Sequence, residues 1–263
     1  MMERSASGVA AHGSASLGTT NKFVLNKIKD SGKLKLPFLD LGAGSGFFTR
    51  LISKEREALG LKAGEGISAC DISGSTFKAD GVTLKECDVN LGLPYEDGAF
   101  DTVVAIEVFE HTRSPYDVIA DVYRVLKPGG LLIFSVPNVG HALSRVKFLL
   151  SGHYHMFPSP SIKPENGGRI CGHIAPLPFQ YWHYGLRRAG FTNIELSPDR
   201  AKRSASIFAA LLWPGNKLGT ALHTGRIARR EPPLAAETDA VAREANSWTA
   251  LTSRSLVFTA RKP

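Results

Sequence analysis

The chain has 263 residues, 43% of them hydrophobic and 21% charged, with a formal net charge of +8 and a pI near 9.5. This composition supports a packed core and excludes global disorder, and the length suits one α/β domain with insertions. The positive balance favours anionic partners (nucleic acid, an anionic membrane surface or a phosphorylated substrate) without choosing among them. The three cysteines, Cys70, Cys87 and Cys171, include no C-x-x-C pair. They fit reduced thiols in a cytoplasmic protein better than a disulfide framework. No apolar run approaches the ~20 residues that span a bilayer. Met1 to Thr20 is rich in Ser, Gly and Ala, lacks the apolar core of a secretory signal, and reads as a mobile tail. Asn21 to Asp30 follows as a short helix with Phe23, Val24 and Ile28 facing inward.

Phe38 to Phe48, FLDLGAGSGFF, reads as a buried strand running through a glycine turn into a helix. Leu36 to Leu41 is the strand. Phe47 to Leu59 is the helix, and its first-turn N–H groups welcome polar or anionic ligand atoms. The dinucleotide fingerprint G-x-G-x-x-G would need a third glycine where Phe47 stands. Instead an acid, Asp40, is followed by Gly42, Gly44 and Gly46 as G-x-G-x-G. Alone, such a triplet also fits an ordinary tight strand-to-helix turn. With the strand before it and Asp40 within it, the stretch resembles motif I of the class I S-adenosylmethionine-dependent methyltransferases. The resemblance implies S-adenosyl-L-methionine as cofactor, with Asp40, Gly42, Gly44 and Gly46 in its binding loop.

Gly66 to Cys70 is a second strand ending at Asp71. An acid there suits hydrogen bonding to ribose hydroxyls, as in dinucleotide folds, and a solvated loop aspartate is the alternative. Ile72 beside it is placed to pack on adenine. Val82 to Val89 is the third strand; the resemblance assigns Asp88 and Val89 to adenine, while a capping or turn role fits Asp88 nearly as well. Leu93 to Asp101 is a turn-rich lead-in similar to one in the same family. Phe100 to Val108 is the fourth and central strand, running into Glu107-Val108-Phe109-Glu110-His111. Ligands of open α/β sheets sit at such strand ends. Glu107 and its neighbours are therefore expected beside the methionine part of the cofactor and one wall of a substrate pocket. His111 is a candidate general base, although a capping or supporting role is the blander reading. Pro115 to Leu126 is a helix stopped by Lys127-Pro128-Gly129-Gly130, and Leu131 to Asn138 is the fifth strand. This turn and strand extend the resemblance over Phe38 to Asn138.

Ala142 to Leu150 is a basic amphipathic helix carrying Arg145 and Lys147. Ser151 to Pro178 is a long loop holding His153, His155 and His173; loops of that length are usually lids or disordered. Phe179 to Ala189 is a helix closed by Gly190 and Phe191. A histidine before a helix ending in A-G-F resembles glycan- and quinone-type methyltransferases, which makes His173 the first choice for a base or substrate-orienting residue. The three loop histidines lack the carboxylate or cysteine spacing of a metal centre, and no metal is expected. Asn193 to Leu196 and Ser255 to Ala260 are the sixth and seventh strands, antiparallel at the edge. Ile207 to Trp213 is apolar and flanked by Lys202, Arg203, Lys217, Arg226, Arg229 and Arg230. It suits either an interfacial helix on anionic lipid or a core-packed helix with a solvated basic edge. Glu231 to Trp248 reads as surface helix or linker.

The expected architecture is a Rossmann-like α/β fold: a seven-stranded, mostly parallel sheet with helices on both faces and an antiparallel edge strand. One methyltransferase domain is expected over 21–263, with a substrate-side insertion at about 139–178 and a basic, apolar insertion at about 200–250. The resemblance implies methyl transfer to a small-molecule, glycan or lipid-linked acceptor, chiefly at oxygen, in a cytoplasmic protein for which the basic, apolar insertion leaves an anionic membrane surface open as a partner. Glu107 to Glu110 stands where exocyclic-amine methylases carry N-P-P-Y, which disfavours that subclass. An RNA methyltransferase stays open on charge, but nucleic acid is disfavoured because no RNA-binding module is recognisable. A non-catalytic S-adenosylmethionine-binding membrane adaptor is the remaining alternative, since fold does not decide function.

Overall fold

The computed structural model describes residues 14–161, 172–198 and 203–263. Met1 to Gly13 of the expected tail, Cys171, Arg200 and Lys202 lie outside the described residues. The strands are β1 (Phe38–Leu41), β2 (Ile67–Asp71), β3 (Leu84–Glu86), β4 (Phe100–Ile106), β5 (Leu126–Pro137), β6 (Thr192–Pro198) and β7 (Ser255–Arg261). They form one sheet in the order β3-β2-β1-β4-β5-β7-β6. β1 to β5 pair in parallel, and β7 lies antiparallel between β5 and β6. Strand order therefore reverses between β1 and β4, where ligand clefts of open sheets form.

Around the sheet run α1 (Ser14–Asp30), α2 (Phe47–Glu57), α3 (Pro115–Val125), α4 (Ala142–Ser151), α5 (Phe179–Ala189), α6 (Arg203–Arg230), α7 (Pro232–Glu244) and α8 (Trp248–Thr252). The period of two along a strand sends alternate residues to opposite faces. Val103 and Ala105 of β4 join Val118 and Val122 of α3 and Leu186 of α5. Val104 joins Val24 and Ile28 of α1 and Ile52 of α2. Covering both faces is what makes the central strands continuous apolar runs.

Four segments depart from the sequence expectation. Ser14 to Thr20 belongs to α1 instead of the tail, and burial of Thr20 and Asn21 ties that extra length to the domain. The third strand pairs only over Leu84–Glu86, because Val89–Leu91 folds into a single 3-10 turn capped by Asp88. β5 begins at Leu126, before the proline–glycine turn. Phe100 pairs with Leu126 and Thr102 with Leu131, so the intervening residues bulge out of the ladder. They are held by backbone bonds between Gly129, Gly130 and Lys262. Ile207 to Trp213 is part of a 28-residue helix that continues through Pro214. On one side Phe208, Leu212 and Trp213 of α6 pack around Ala142 and Leu251, while Ile207, Leu211, Leu218 and Leu222 remain exposed. Among the described residues no helix is long and apolar enough to cross a membrane.

Trp182 of α5 ties one helical layer to the strand ends. It is 1% exposed, packs against Phe109 and Phe134, and donates its indole N–H to the Leu177 carbonyl at 2.8 Å. Trp182→Ala removes that ring volume and leaves a cavity. Urea denaturation is expected to show a loss of about 3–5 kcal/mol, and a loss below about 1 kcal/mol would contradict this packing role.

Candidate active site

The glycine turn is built by close approach. Gly42 sits at φ +72°, and a β-carbon on it would lie 2.4 Å from Val108 Cγ2. Only a residue without a side chain lets the end of β1 lie against the end of β4. The N–H groups of Gly42 and Ala43 both donate to the Cys70 carbonyl, at 2.8 and 3.1 Å, which fixes the turn to β2. Gly44, at φ +54°, has no atom within 4 Å of its β-carbon position, so this part of the turn faces open space. Gly46 caps α2 in the left-handed conformation.

Asp71 stands across this opening. Its Oδ2 accepts the Gly44 N–H at 2.8 Å and its Oδ1 the Ser73 N–H at 3.3 Å. Each oxygen keeps acceptor capacity for a ligand hydroxyl. Ile72 beside it is 71% exposed. Asp40 is placed differently. It is 2% exposed and accepts the Thr49 hydroxyl at 2.6 Å, so it ties β1 to the first turn of α2 from beneath the loop. Burial pushes its carboxyl up to about 6 despite that hydrogen bond.

Asp88 performs the capping role, accepting the Asn90 N–H at 2.9 Å and the Asn90 side-chain amide at 2.7 Å. These bonds, with Arg113 at 3.8 Å, hold its carboxyl below the usual range. Val89 is half-buried against the core in the same turn. Cys70 and Cys87 are free thiols.

The end of β4 carries the denser polar cluster. Glu107 has φ +55°, an uncommon conformation for a residue other than glycine. Its N–H donates to the Ser135 carbonyl at 3.0 Å, and the Ser135 hydroxyl donates to its Oε1 at 3.0 Å. Phe109–His111 forms a single 3-10 turn. Glu110 within it is fully buried, and neither carboxylate oxygen has a hydrogen-bond partner. Burial, followed by the nearby Glu107, pushes its carboxyl well above the usual range.

The loop before α5 is strapped onto this turn. The Ile174 and Ala175 N–H groups both donate to the Glu110 carbonyl, at 2.9 and 3.0 Å. His111 Nδ1 lies 2.9 Å from the Gly172 carbonyl, and His173 Nδ1 lies 2.9 Å from the Met156 carbonyl. A carbonyl only accepts, so Nδ1 carries the proton in both rings and Nε2 keeps the lone pair. The two rings are 4.7 Å apart, and Phe157 closes on His173 at 5.2 Å. Burial, then the proximity of His111, lowers the His173 pKa.

The structure thus unites His111 and His173 and places Glu107 beside them, near the glycine cleft. His153 and His155 do not join them. His153 bonds within its own loop to Ser151 and Ser159, and His155 packs on His141. Sequence reasoning gave no role of its own to Glu110, which it placed with 107–111 at the mouth of the site, or to Thr49, Ser135 and Gly172. The adjacency of Glu110 to His111, three residues after Glu107 at a strand end, is the signal that was available for the first of these.

The family described as Methyltransferase domain matches residues 39–134. Over 168 residues the chain is 31% identical to the ubiquinone biosynthesis O-methyltransferase of Methylococcus capsulatus, covering 61% of this chain and 67% of that protein. It is 30% identical over 110 residues to the ubiquinone/menaquinone biosynthesis C-methyltransferase UbiE of Desulfotalea psychrophila, covering 41% of this chain and 44% of that protein. Phosphoethanolamine N-methyltransferase 2 of Haemonchus contortus, solved in complex with S-adenosyl-L-methionine, shares the fold. Its TM-score is 0.52 at 19% identity, over 93% of this chain and 52% of that one. The chain belongs to the class I S-adenosylmethionine-dependent methyltransferases. It is an enzyme of that class, and its cofactor is S-adenosyl-L-methionine.

The buried acid under the loop sets a pH dependence. The Asp40 carboxyl titrates at about 6 in the folded chain against 3.8 ordinarily, so the folded state holds this proton longer as pH rises. Its contribution to stability is therefore full below about pH 4 and lost as pH rises through about 6. Asp40→Asn cannot titrate. Between pH 4 and pH 7 the unfolding free energy of the parent is expected to fall by about 3 kcal/mol relative to this variant. Chemical denaturation of both across that range checks it, and parallel pH profiles would contradict it.

Proposed function

We infer that this methyltransferase acts on a hydroxyl oxygen of a small-molecule acceptor. The observation that carries this reading is the pair His111 and His173, each with a lone-pair Nε2, at the end of β4 beside the glycine cleft. A hydroxyl acceptor must lose a proton during transfer, and an imidazole neutral near pH 7 suits that task. The lowered pKa of His173 favours its neutral form. The name of the Methylococcus capsulatus relative, an O-methyltransferase of ubiquinone biosynthesis, supports the same acceptor chemistry.

The open space at Gly44 and the spare acceptor capacity of Asp71 fit the adenosine and ribose of the cofactor. When bound, S-adenosylmethionine supplies an electrophilic methyl group. Gly42, Gly44 and Gly46 let the backbone come close to it, Asp71 accepts ribose hydroxyls, and Ile72, Asp88 and Val89 border the adenine. Glu107 faces the methionine end. Asp40 positions the loop through Thr49.

A cavity of about 350 Å³ is lined by Val139, Phe148, Tyr154 and Phe179 together with Asn138 and Arg145. Tyr154 in its wall lies two residues before Met156, whose carbonyl orients His173, and the mixed polar and apolar lining suits a ring that also carries polar substituents. Ile207, Leu211, Leu218 and Leu222 fall within about 60° of one another around α6, which also carries Lys217, Arg226, Arg229 and Arg230. This stripe supports collection of a lipid-soluble or lipid-linked acceptor at an anionic membrane surface.

The test uses S-adenosylmethionine labelled in its methyl group and cell extract separated into lipid, small-molecule, RNA and protein fractions. Label is expected in the lipid or small-molecule fraction as a methyl ether. Label on RNA, on protein, or on nitrogen or carbon of a small molecule would overturn the reading. Gly44→Val should weaken cofactor binding more than tenfold by calorimetry with an unchanged circular dichroism spectrum. His173→Ala should lower kcat by about 10²–10⁴ with cofactor affinity nearly unchanged.

A further inference from the structure

The buried carboxylate of Glu110 is not explained by methyl transfer alone. It is fully enclosed, both oxygens are without a hydrogen-bond partner, and the nearest polar group of the loop is His173 Nε2, 4.0 Å from Oε1. An isolated buried carboxylate is costly, so it is normally paired, neutral or bound to a cation. As the side chains stand, a proton on Glu110 has no acceptor within hydrogen-bond range, the His173 nitrogen lying at 4.0 Å. The Nε2 atom of His173 bears a lone pair, so it is an acceptor facing an acceptor. Two lone-pair groups held face to face and slightly apart are the arrangement that a metal ion between them satisfies.

His111 completes the set. One ligand atom from each of Glu110, His111 and His173 lies within 4.8 Å of the others, the one such group of three among the described residues. Ligands about 2.1 Å from a tetrahedral ion are about 3.4 Å apart, so side-chain adjustment of under about 1.5 Å closes the set. Each imidazole is already oriented by a backbone carbonyl on its Nδ1–H, as ligating histidines usually are. Gly172 gives His111 room there, since a β-carbon would lie 3.0 Å from His111 Nδ1, tighter than ordinary contact. The two N–H groups on the Glu110 carbonyl hold the loop and the turn in register. Glu107 adds a second carboxylate close by, which favours positive charge at the centre.

We propose that Glu110, His111 and His173 form a binding site for a divalent transition-metal ion at the acceptor side of the cleft. Two imidazoles and one carboxylate match the borderline ions, Zn²⁺ foremost, and three protein ligands leave a coordination position open. That position is where an acceptor oxygen would bind and lose its proton more readily, the proton passing to solvent, so that with the ion present the two imidazoles serve as ligands and the ion takes the place of a histidine base. This last role rests on the O-methylation reading. The cation site itself does not.

The experiment therefore measures the metal without cofactor or acceptor. Chelator-stripped protein is titrated with Zn²⁺ by calorimetry, and bound metal is counted by elemental analysis after dialysis. One Zn²⁺ per chain is expected, with affinity falling more than about tenfold in Glu110→Gln and in His173→Ala. His153→Ala, outside the cluster, should bind as the parent does. Glu110→Gln keeps the shape and removes a buried charge, so it tests the site without unfolding the chain. The visible spectrum of bound Co²⁺ should lose its bands in the same two variants. Absence of stoichiometric binding, or full binding in both variants, would overturn the proposal. If Zn²⁺ binds as described but labelled methyl appears on carbon, the metal site stands and the O-methylation reading falls. If methyl ethers form and no metal binds, the reverse holds.

Discussion

The contact on which the rest of the architecture depends is between Gly42 and Val108. It brings the end of β1 against the end of β4 at the point where strand order reverses. Because the strands run parallel, the loops that follow them emerge on the same edge of the sheet. The glycine loop and the 107–111 segment therefore become neighbours although more than sixty residues separate them. Any side chain at position 42 would push these loops apart. The glycine loop and the polar cluster would then no longer share one cleft.

Much of the fold was legible because its signal is local. The apolar runs at 38–41, 103–106 and 131–136 are long and bounded by turn residues, and two-sided burial is the usual reason for such runs. The edge was less legible. β3 is three residues long since beyond it there is no partner strand, and Asp88 caps a turn where the run of Val82 to Val89 read as extended. The early start of β5 depends on Lys262, a pairing partner far along the chain that local pattern does not reveal. Ile207 to Trp213 showed its apolar character, but not that one side packs on α4 and α8 while the other is exposed.

The candidate site divides in the same way. The glycine spacing and Asp71 announce the tight turn on which the cofactor-site proposal rests, because its geometry is carried by backbone and by one nearby acid. Asp40 was legible as part of the motif, while its position beneath the loop was not, since only Thr49 across the turn reveals it. Glu110 was illegible for a deeper reason. A glutamate is ordinarily a surface residue, and nothing local distinguishes one whose side chain is enclosed and faces His173 of a distant loop. Its role is conferred by residues sixty positions away.

The two halves of the cleft differ in kind, and the physical chemistry of methyl transfer accounts for this. A sulfonium methyl is already reactive, so the cofactor side needs accurate placement and little acid–base chemistry. Backbone amides, a small loop and one carboxylate suffice. On the O-methylation reading, the acceptor side must also draw a proton from a weakly acidic oxygen. There the chain has invested two oriented imidazoles and an enclosed carboxylate. Low local dielectric makes these groups strongly interacting, and leaving the carboxylate unpaired in that setting is unfavourable. A group held at such cost beside two oriented imidazoles is better explained by what it binds than by what it stabilises, because an apolar residue in place of Glu110 would serve the core better.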